Sequence, residues 1–255
     1  MRDELKKKIR AKSLCFGSWV TLKDPTVTEI ICQNKNIDWV AIDGEHSSLS
    51  MSEISDHIRA ASLSRKCPLV RVSENDATEI KRVMDAGAQG IIVPMVGSVA
   101  DLQKAHSAMH YPPLGTRGMG LGRASRFGEK SAHREYLEWL PRSAVLIAQV
   151  ESVEALSNID SITASELIDG IMVGPYDLSA SLGIPGRFEH KDFLEAVDRI
   201  TASARKNDRA MGAHVVEPRA QEIRRAMDRG CTFIAYGTDF RIIESCFDEG
   251  LSSFG

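Results

Sequence analysis

Ala144-Val-Leu-Ile-Ala-Gln-Val-Glu151 opens as an uninterrupted apolar run and then turns polar. The apolar part has the pattern of a strand buried on both faces, as a parallel sheet covered by helices requires. Gln149 and Glu151 are two residues apart, so within a strand both point to the same side. A carboxylate and an amide at the end of a buried strand are costly unless something pairs with them. A bound cation is one such partner, and a functional site is the usual place to find it. In the alternative, both residues belong to the next loop and merely cap a helix that starts at Ser152. The stretch alone leaves both readings open.

Outward from this strand the chain repeats one rhythm. Upstream, Leu14–Val20, Asp38–Asp43, Pro68–Val72 and Gly90–Val96 are short apolar runs; downstream come Asp169–Gly174, Met211–Val216 and Phe233–Tyr236. Helical stretches separate them: Asp24 and Pro25 open one, Ser50–Leu63, Asp76–Gly87 and Ser98–His110 form others, and further helices end near Lys206, Gly230 and Asp248. Strands separated by helices pair in parallel. Eight such units in about 250 residues favour an α/β chain closed into a (β/α)8 TIM barrel as a single domain over residues 1–255. An open doubly wound sheet is the alternative. The rhythm breaks at Tyr111–Ser131, a connection rich in Gly, Pro and Arg and longer than compact domains usually carry. Its close-set glycines follow a helix and a Pro-Pro turn, so they do not form a dinucleotide fingerprint. The expectation is a flexible segment over the site, with Arg117, Arg123 or Arg126 able to reach anions, or else a solvated loop.

Composition excludes several classes. The 255 residues are 43% hydrophobic and 26% charged, with a net charge of −3. That supports a sizeable core and gives no electrostatic reason to expect nucleic acid. No apolar run approaches membrane-spanning length. The N-terminal run Arg2–Arg10 is charged throughout, with no signal-peptide centre, so a cytoplasmic protein is expected, and Lys6–Lys12 reads as a solvated helical face. The five scattered cysteines fit reduced thiols that fill core space.

In a barrel, the C-terminal strand ends form the reactive face. The polar residues there are Trp19, Asp43, Glu45, His46, Arg71, Gln149, Glu151, Asp177, His214 and Asp239. Glu151 and Asp177 end neighbouring strands, which lie about 5 Å apart. Carboxylates that close either repel or share a cation, and oxygen ligands suit Mg²⁺, Mn²⁺ or a similar divalent ion.

The ordered set Asp43-Gly-Glu-His46, Val70-Arg71-Val72, Ile80–Gln89, Tyr111–Gly118, Gln149-Val-Glu151 and Gly174-Pro-Tyr-Asp-Leu-Ser179 resembles the HpcH/HpaI family of class II, metal-dependent pyruvate aldolases. The resemblance runs from about Phe16 to Gly186 and fades beyond. It implies a divalent metal (Mg²⁺, Mn²⁺ or Co²⁺) held by Glu151 and Asp177, with Gln149 hydrogen-bonding beside it. It implies Arg71 facing the keto oxygen, His46 as acid/base on the aldol hydroxyl, and Asp43 and Asp85 orienting His46 and Arg71. Backbone around Gly174, Pro175 and Asp177 would receive a carboxylate. The implied reaction is cleavage of a 4-hydroxy-2-oxo acid, such as a 2-keto-3-deoxy sugar acid, into pyruvate and an aldehyde. The implied assembly is a homo-oligomer, trimer or hexamer, with the C-terminal helix around Phe240–Phe247 exchanged between subunits.

The physical logic agrees with this reading. Carbon–carbon cleavage leaves an enolate, which needs a cation or an electron sink. A lysine Schiff base is the other solution. The strands contain no lysine, and Lys23 after the first strand sits in a helix-start setting. Two rivals remain: a lyase or synthase for an acyl-CoA or oxaloacetate on the same metal pair, and a barrel that binds 2-oxo acids without turning them over. Glu45 is expected to form a structural salt bridge, and His214 and Asp239 to be structural or peripheral.

Overall fold

The computed structural model describes residues 4–252 and Phe254. The first two residues of the charged run Arg2–Arg10 lie outside the described residues. The chain opens with α1 (Glu4–Arg10), β1 (Cys15–Val20), α2 (Thr26–Cys32), β2 (Ile37–Asp43), α3 (Met51–Leu63), β3 (Cys67–Arg71), α4 (Ala77–Ala86), β4 (Gly90–Val93) and α5 (Val99–Met109). After the long connection come α6 (Lys130–Ser143), β5 (Val145–Val150), α7 (Val153–Ser157), α8 (Ile159–Ala164), β6 (Gly170–Val173) and α9 (Pro175–Ser181). The chain ends with α10 (Lys191–Lys206), β7 (Ala210–Val215), α11 (Ala220–Asp228), β8 (Phe233–Thr238) and α12 (Asp239–Leu251).

The eight strands are parallel and close in sequence order, with β8 hydrogen-bonded to β1 through the pair Cys15 and Phe233. The chain is therefore a TIM barrel, and the open sheet is excluded. Local chemistry sets the helix ends. Ser50 accepts from the Glu53 N–H while Glu53 reaches back to the Ser50 N–H, the reciprocal cap that starts α3. Asp76 caps α4, and Gly87 at φ 104° ends it in the left-handed conformation that suits a residue without Cβ.

Two layers of core hold the barrel. Inside the ring, Trp39 stacks on Phe233 with centroids 4.1 Å apart, among Leu69, Ile92 and Ile147. A Cβ at residue 17 would lie 2.1 Å from the Trp39 ring, so the indole occupies the space that Gly17 leaves. Outside it, the other strand faces bury residues such as Ile42, Val70, Ile91 and Leu146 against the helices.

The first helix differs from its reading as a solvated face. Leu5 and Ile9 are buried in the inner cluster. Lys6 Nζ donates to the Ala144 carbonyl at 2.7 Å, and Arg10 Nε donates to the inaccessible Asp169 carboxylate at 2.7 Å. The apolar pair, two residues inside a charged run, is what draws α1 onto the base of the ring.

The connection after α5 is also corrected. Arg117 is buried, and its guanidinium donates to Asp85 at 2.5 Å and to the Tyr136 hydroxyl at 2.9 Å. Arg123 donates to the Ala86 carbonyl at the end of α4. That helix runs back from the C-terminal strand ends, so its last turn lies toward the N-terminal end of the barrel. Arg123 and Arg126 line a cavity with Ile37, Cys67 and Gln89, at the strand starts. The segment thus packs at the base of the barrel and not over its C-terminal mouth.

Candidate active site

The C-terminal strand ends surround a cavity of about 680 Å³. Asp43 and Arg71 are register partners on β2 and β3, so the sheet itself sets them side by side. Arg71 Nε and Nη2 donate to the two Asp43 oxygens at 2.9 and 2.6 Å, a bidentate pair. Arg71 Nη1 lies 3.2 Å from Glu45, and the guanidinium sits 4.4 Å over the Trp19 ring. Asp43 Oδ1 also accepts from the backbone N–H groups of Glu45 and His46, at 3.0 and 3.1 Å. One carboxylate thus fixes both the arginine and the loop that carries His46. Burial pushes the Asp43 carboxyl up, but Arg71 and these backbone donors outweigh burial and hold it below the usual range. The His46 imidazole is 60% exposed at the cavity wall, with Nε2 3.7 Å from Glu45.

Gln149 and Glu151 do face the same side. Gln149 lies inside β5, and its Nε2 donates to Glu151 Oε2 at 2.5 Å. Ser152, not Glu151, caps the helix that follows. Glu151 Oε1 accepts the Met95 N–H at 2.6 Å. That donor is free because β4 stops at Val93: Pro94 offers no N–H, and Met95 turns at φ 51°. Gly174 packs against the same carboxylate, since a Cβ there would lie 2.0 Å from Glu151 Oε2. Pro175 starts α9, which places Asp177 in its first turn, beside the end of β5. Burial raises the Glu151 pKa, and the nearby Asp177 charge raises it further.

The donor set fits a hard divalent cation. Asp43, Glu45, Glu151 and Asp177 lie near one another at one end of the barrel, and Arg71 pairs with the first two of them. Gln149 Oε1 is buried without a hydrogen-bond partner. Excess negative charge, a buried carboxylate with a raised pKa and an unsatisfied amide oxygen are what a Mg²⁺- or Mn²⁺-type ion would relieve. Among the described residues no group of three or more His, Cys, Asp or Glu side chains is placed to hold a metal. Glu151 and Asp177 would therefore act as a pair, with oxygen from other sources completing the shell.

The structure brings together Asp43, His46, Arg71, Gln149, Glu151, Gly174, Pro175 and Asp177. It does not bring Asp85 to them. Asp85 sits in the last turn of α4 and pairs with Arg117, and it is not among the residues lining the cavity. Glu45 forms the salt bridge expected of it. Asp239 accepts from the Thr21 hydroxyl and from the N–H groups of Thr21 and Leu22, which anchors the β1 loop.

The sequence reading gave His214 and Trp19 no role. His214 lines the cavity on β7, its ring 5.3 Å from that of Trp19, and Nε2 of His214 and Nε1 of Trp19 are both buried without partners. A histidine near a strand end looks the same in sequence whether it fills core or faces a ligand.

Comparison with known proteins agrees with this geometry. The family model for HpcH/HpaI aldolase/citrate lyase matches residues 15–245. A hydroxypyruvate/pyruvate aldolase from Pseudomonas aeruginosa is 33% identical over 243 residues, covering 94% of this chain and 88% of the relative. A 5-keto-4-deoxy-D-glucarate aldolase from Escherichia coli is 32% identical over 253 residues, covering 99% and 96%. A solved HpcH/HpaI aldolase/citrate lyase family protein from Burkholderia cenocepacia superposes with a TM-score of 0.91 at 27% identity, covering 98% of each chain. No helix among the described residues is long and apolar enough to cross a membrane.

Proposed function

Because this chain belongs to the HpcH/HpaI aldolase/citrate lyase family, we propose that it is a divalent-metal-dependent aldolase. In this reading it cleaves a 4-hydroxy-2-oxo acid of the 2-keto-3-deoxy sugar acid type into pyruvate and an aldehyde, and runs the reverse addition. The observation that carries the reading is the Asp43-locked Arg71 guanidinium in the same cavity as Asp177 and Gln149, whose amide donates to the buried Glu151 behind it.

Cleavage breaks the bond between C3 and C4. The electron pair goes into a pyruvate enolate, and the C4 hydroxyl loses its proton to become the aldehyde carbonyl. Glu151 and Asp177 would hold the cation, which when bound supplies Lewis-acid stabilisation of the enolate. Arg71 is fixed charge for the growing negative keto oxygen, and its pairing with Asp43 removes the cost of orienting it during reaction. His46, exposed at the wall, takes the C4 hydroxyl proton in cleavage and returns it in addition. Its exposure lets that proton exchange with solvent. Protonation of the enolate at C3 then gives pyruvate. A Schiff-base route has no support from Lys23, which is 60% exposed and 3.6 Å from Glu53.

Assembly as a homo-oligomer, trimer or hexamer, belongs to the same reading. Phe240, Ile243, Phe247 and Leu251 form an exposed apolar stripe along α12, at the spacing of one helix face. This supports docking or exchange of α12 with a second copy.

The test is pyruvate release from a panel of 4-hydroxy-2-oxo acids, 5-keto-4-deoxy-D-glucarate among them, before and after exhaustive chelation. Activity should vanish with chelator and return with Mn²⁺ or Mg²⁺. Turnover that survives metal removal, or inactivation by borohydride in the presence of pyruvate, would count against the proposal.

A further inference from the structure

We propose that His214 selects the aldehyde, favouring one that carries a hydroxyl next to its carbonyl over the plain alkyl aldehyde of equal length. This rests on the aldolase reading and deepens it on the side of the site where the resemblance in sequence supplies no residue.

The cavity of about 680 Å³ leaves room beyond a three-carbon 2-oxo acid. The pyruvate side is formed by Arg71, Gln149 and Asp177, from β3, β5 and the start of α9. On the other side lie Trp19, whose ring is 4.4 Å from the Arg71 guanidinium, and His214, whose ring is tilted against that of Trp19 at 5.3 Å. Two polar atoms of these rings, Trp19 Nε1 and His214 Nε2, are buried and unpaired. Buried polar atoms in folded chains are nearly always hydrogen-bonded; what sets these two orphans apart from those in the core is that both belong to residues lining one cavity, where a ligand can supply the partner.

The chemistry of the two atoms narrows that ligand. The indole N–H only donates, whereas a neutral imidazole carries one donor and one acceptor nitrogen. Burial, followed by the charge of Arg71, lowers the His214 pKa to about 4, so the ring is neutral at working pH. A neutral ring gives no ionic grip on a carboxylate. A hydroxyl both donates and accepts, and it satisfies the indole and the imidazole together. An alkyl aldehyde leaves both unpaired.

The experiment is aldol addition of pyruvate to glycolaldehyde and to acetaldehyde, read as the ratio of the two kcat/KM values. The wild-type chain should favour glycolaldehyde. His214→Leu should shrink that ratio by about tenfold, which corresponds to about 1.4 kcal/mol. His214→Gln, which keeps a donor and an acceptor, should retain most of the ratio. A loss of packing alone would slow both aldehydes alike and leave the ratio where it was.

The proposal is overturned by a wild-type chain that shows no preference, by an unchanged ratio in His214→Leu, or by His214→Gln losing as much as His214→Leu. Solvent-deuterium exchange into the pyruvate methyl group separates the two levels. Exchange without a hydroxyl preference sinks this inference alone. A wild-type chain with no exchange in Mn²⁺ sinks the aldolase reading along with it.

Discussion

Asp43→Asn tests the central pairing of the site. The substitution keeps one oxygen for the Glu45 and His46 N–H groups but turns the other position into a donor that faces Arg71 Nη2, now held at 2.6 Å by a carboxylate. Removing one partner of a buried pair costs about 3–5 kcal/mol. Side-chain exposures of 4% for Asp43 and 12% for Arg71 place the pair in that class. Glu45, 3.2 Å from Arg71, retains a counter-charge and moves the expectation to the lower end, about 3 kcal/mol. For a chain of this size each kcal/mol shifts Tm by roughly 2–4 °C, so a fall of about 6–12 °C is expected in a thermal melt.

The retro-aldol kcat should fall by about a hundredfold, because Arg71 loses its aim at the developing oxyanion. Acid supplies an internal control. The Asp43 carboxyl is held below its usual range, so its contribution is present above the unfolded pKa of about 4 and disappears as pH falls through the lower folded value. The gap in Tm between wild type and variant should therefore close in acid. A variant that melts within about 2 °C of wild type at neutral pH would refute the account of the pair. One that loses stability but keeps its kcat would show that Arg71 does not face the reacting oxygen.

Two further outcomes are expected. Gly174→Ala puts a Cβ 2.0 Å from Glu151 Oε2, so the carboxylate must swing off Gln149 and Met95; Mn²⁺ titration should show affinity down by about tenfold to a hundredfold, and wild-type affinity would contradict the packing argument. Cation binding should also weaken on acidification above the ordinary carboxylate range, because a raised Glu151 pKa lets protons compete early. Calorimetric titration with Mn²⁺ between about pH 5 and 7 checks this, and a flat profile would contradict the assignment of Glu151.

The strands were legible because each apolar run sits between helical stretches, and Gln149-x-Glu151 because alternation forces both side chains to one side. Their partners were less so. β4 ends three residues earlier than its apolar run, since Pro94 cannot donate and Met95 turns; that early stop is what frees an N–H for Glu151. The partner that Asp85 takes within the chain was not legible. A helix following β3 runs away from the strand ends, and the acid in its last turn finds Arg117, distant in sequence, whose burial no local pattern announces. That His214 lines the cavity with an unpaired nitrogen could not be read from sequence, because it shows only once Trp19 and the cavity are in place.

The closed ring separates two chemical tasks by position. In the aldolase reading, the arc from β2 to the turn after β6 would handle the nucleophile, through Asp43, Arg71, Gln149, Glu151 and Asp177. The opposite arc, β7, β8 and β1, lines the cavity with His214, Thr238 and Trp19, and in the same reading would face the electrophile. Backbone hydrogen bonds hold the ring shut, so side chains on the second arc can be exchanged without dismantling the first. Trp19 is the seam, touching Arg71 on one side and His214 on the other. If the aldolase reading holds, such a ring could change its choice of aldehyde while its enolate chemistry stays in place, and Trp19 is where an exchange on the second arc would first be felt by the first.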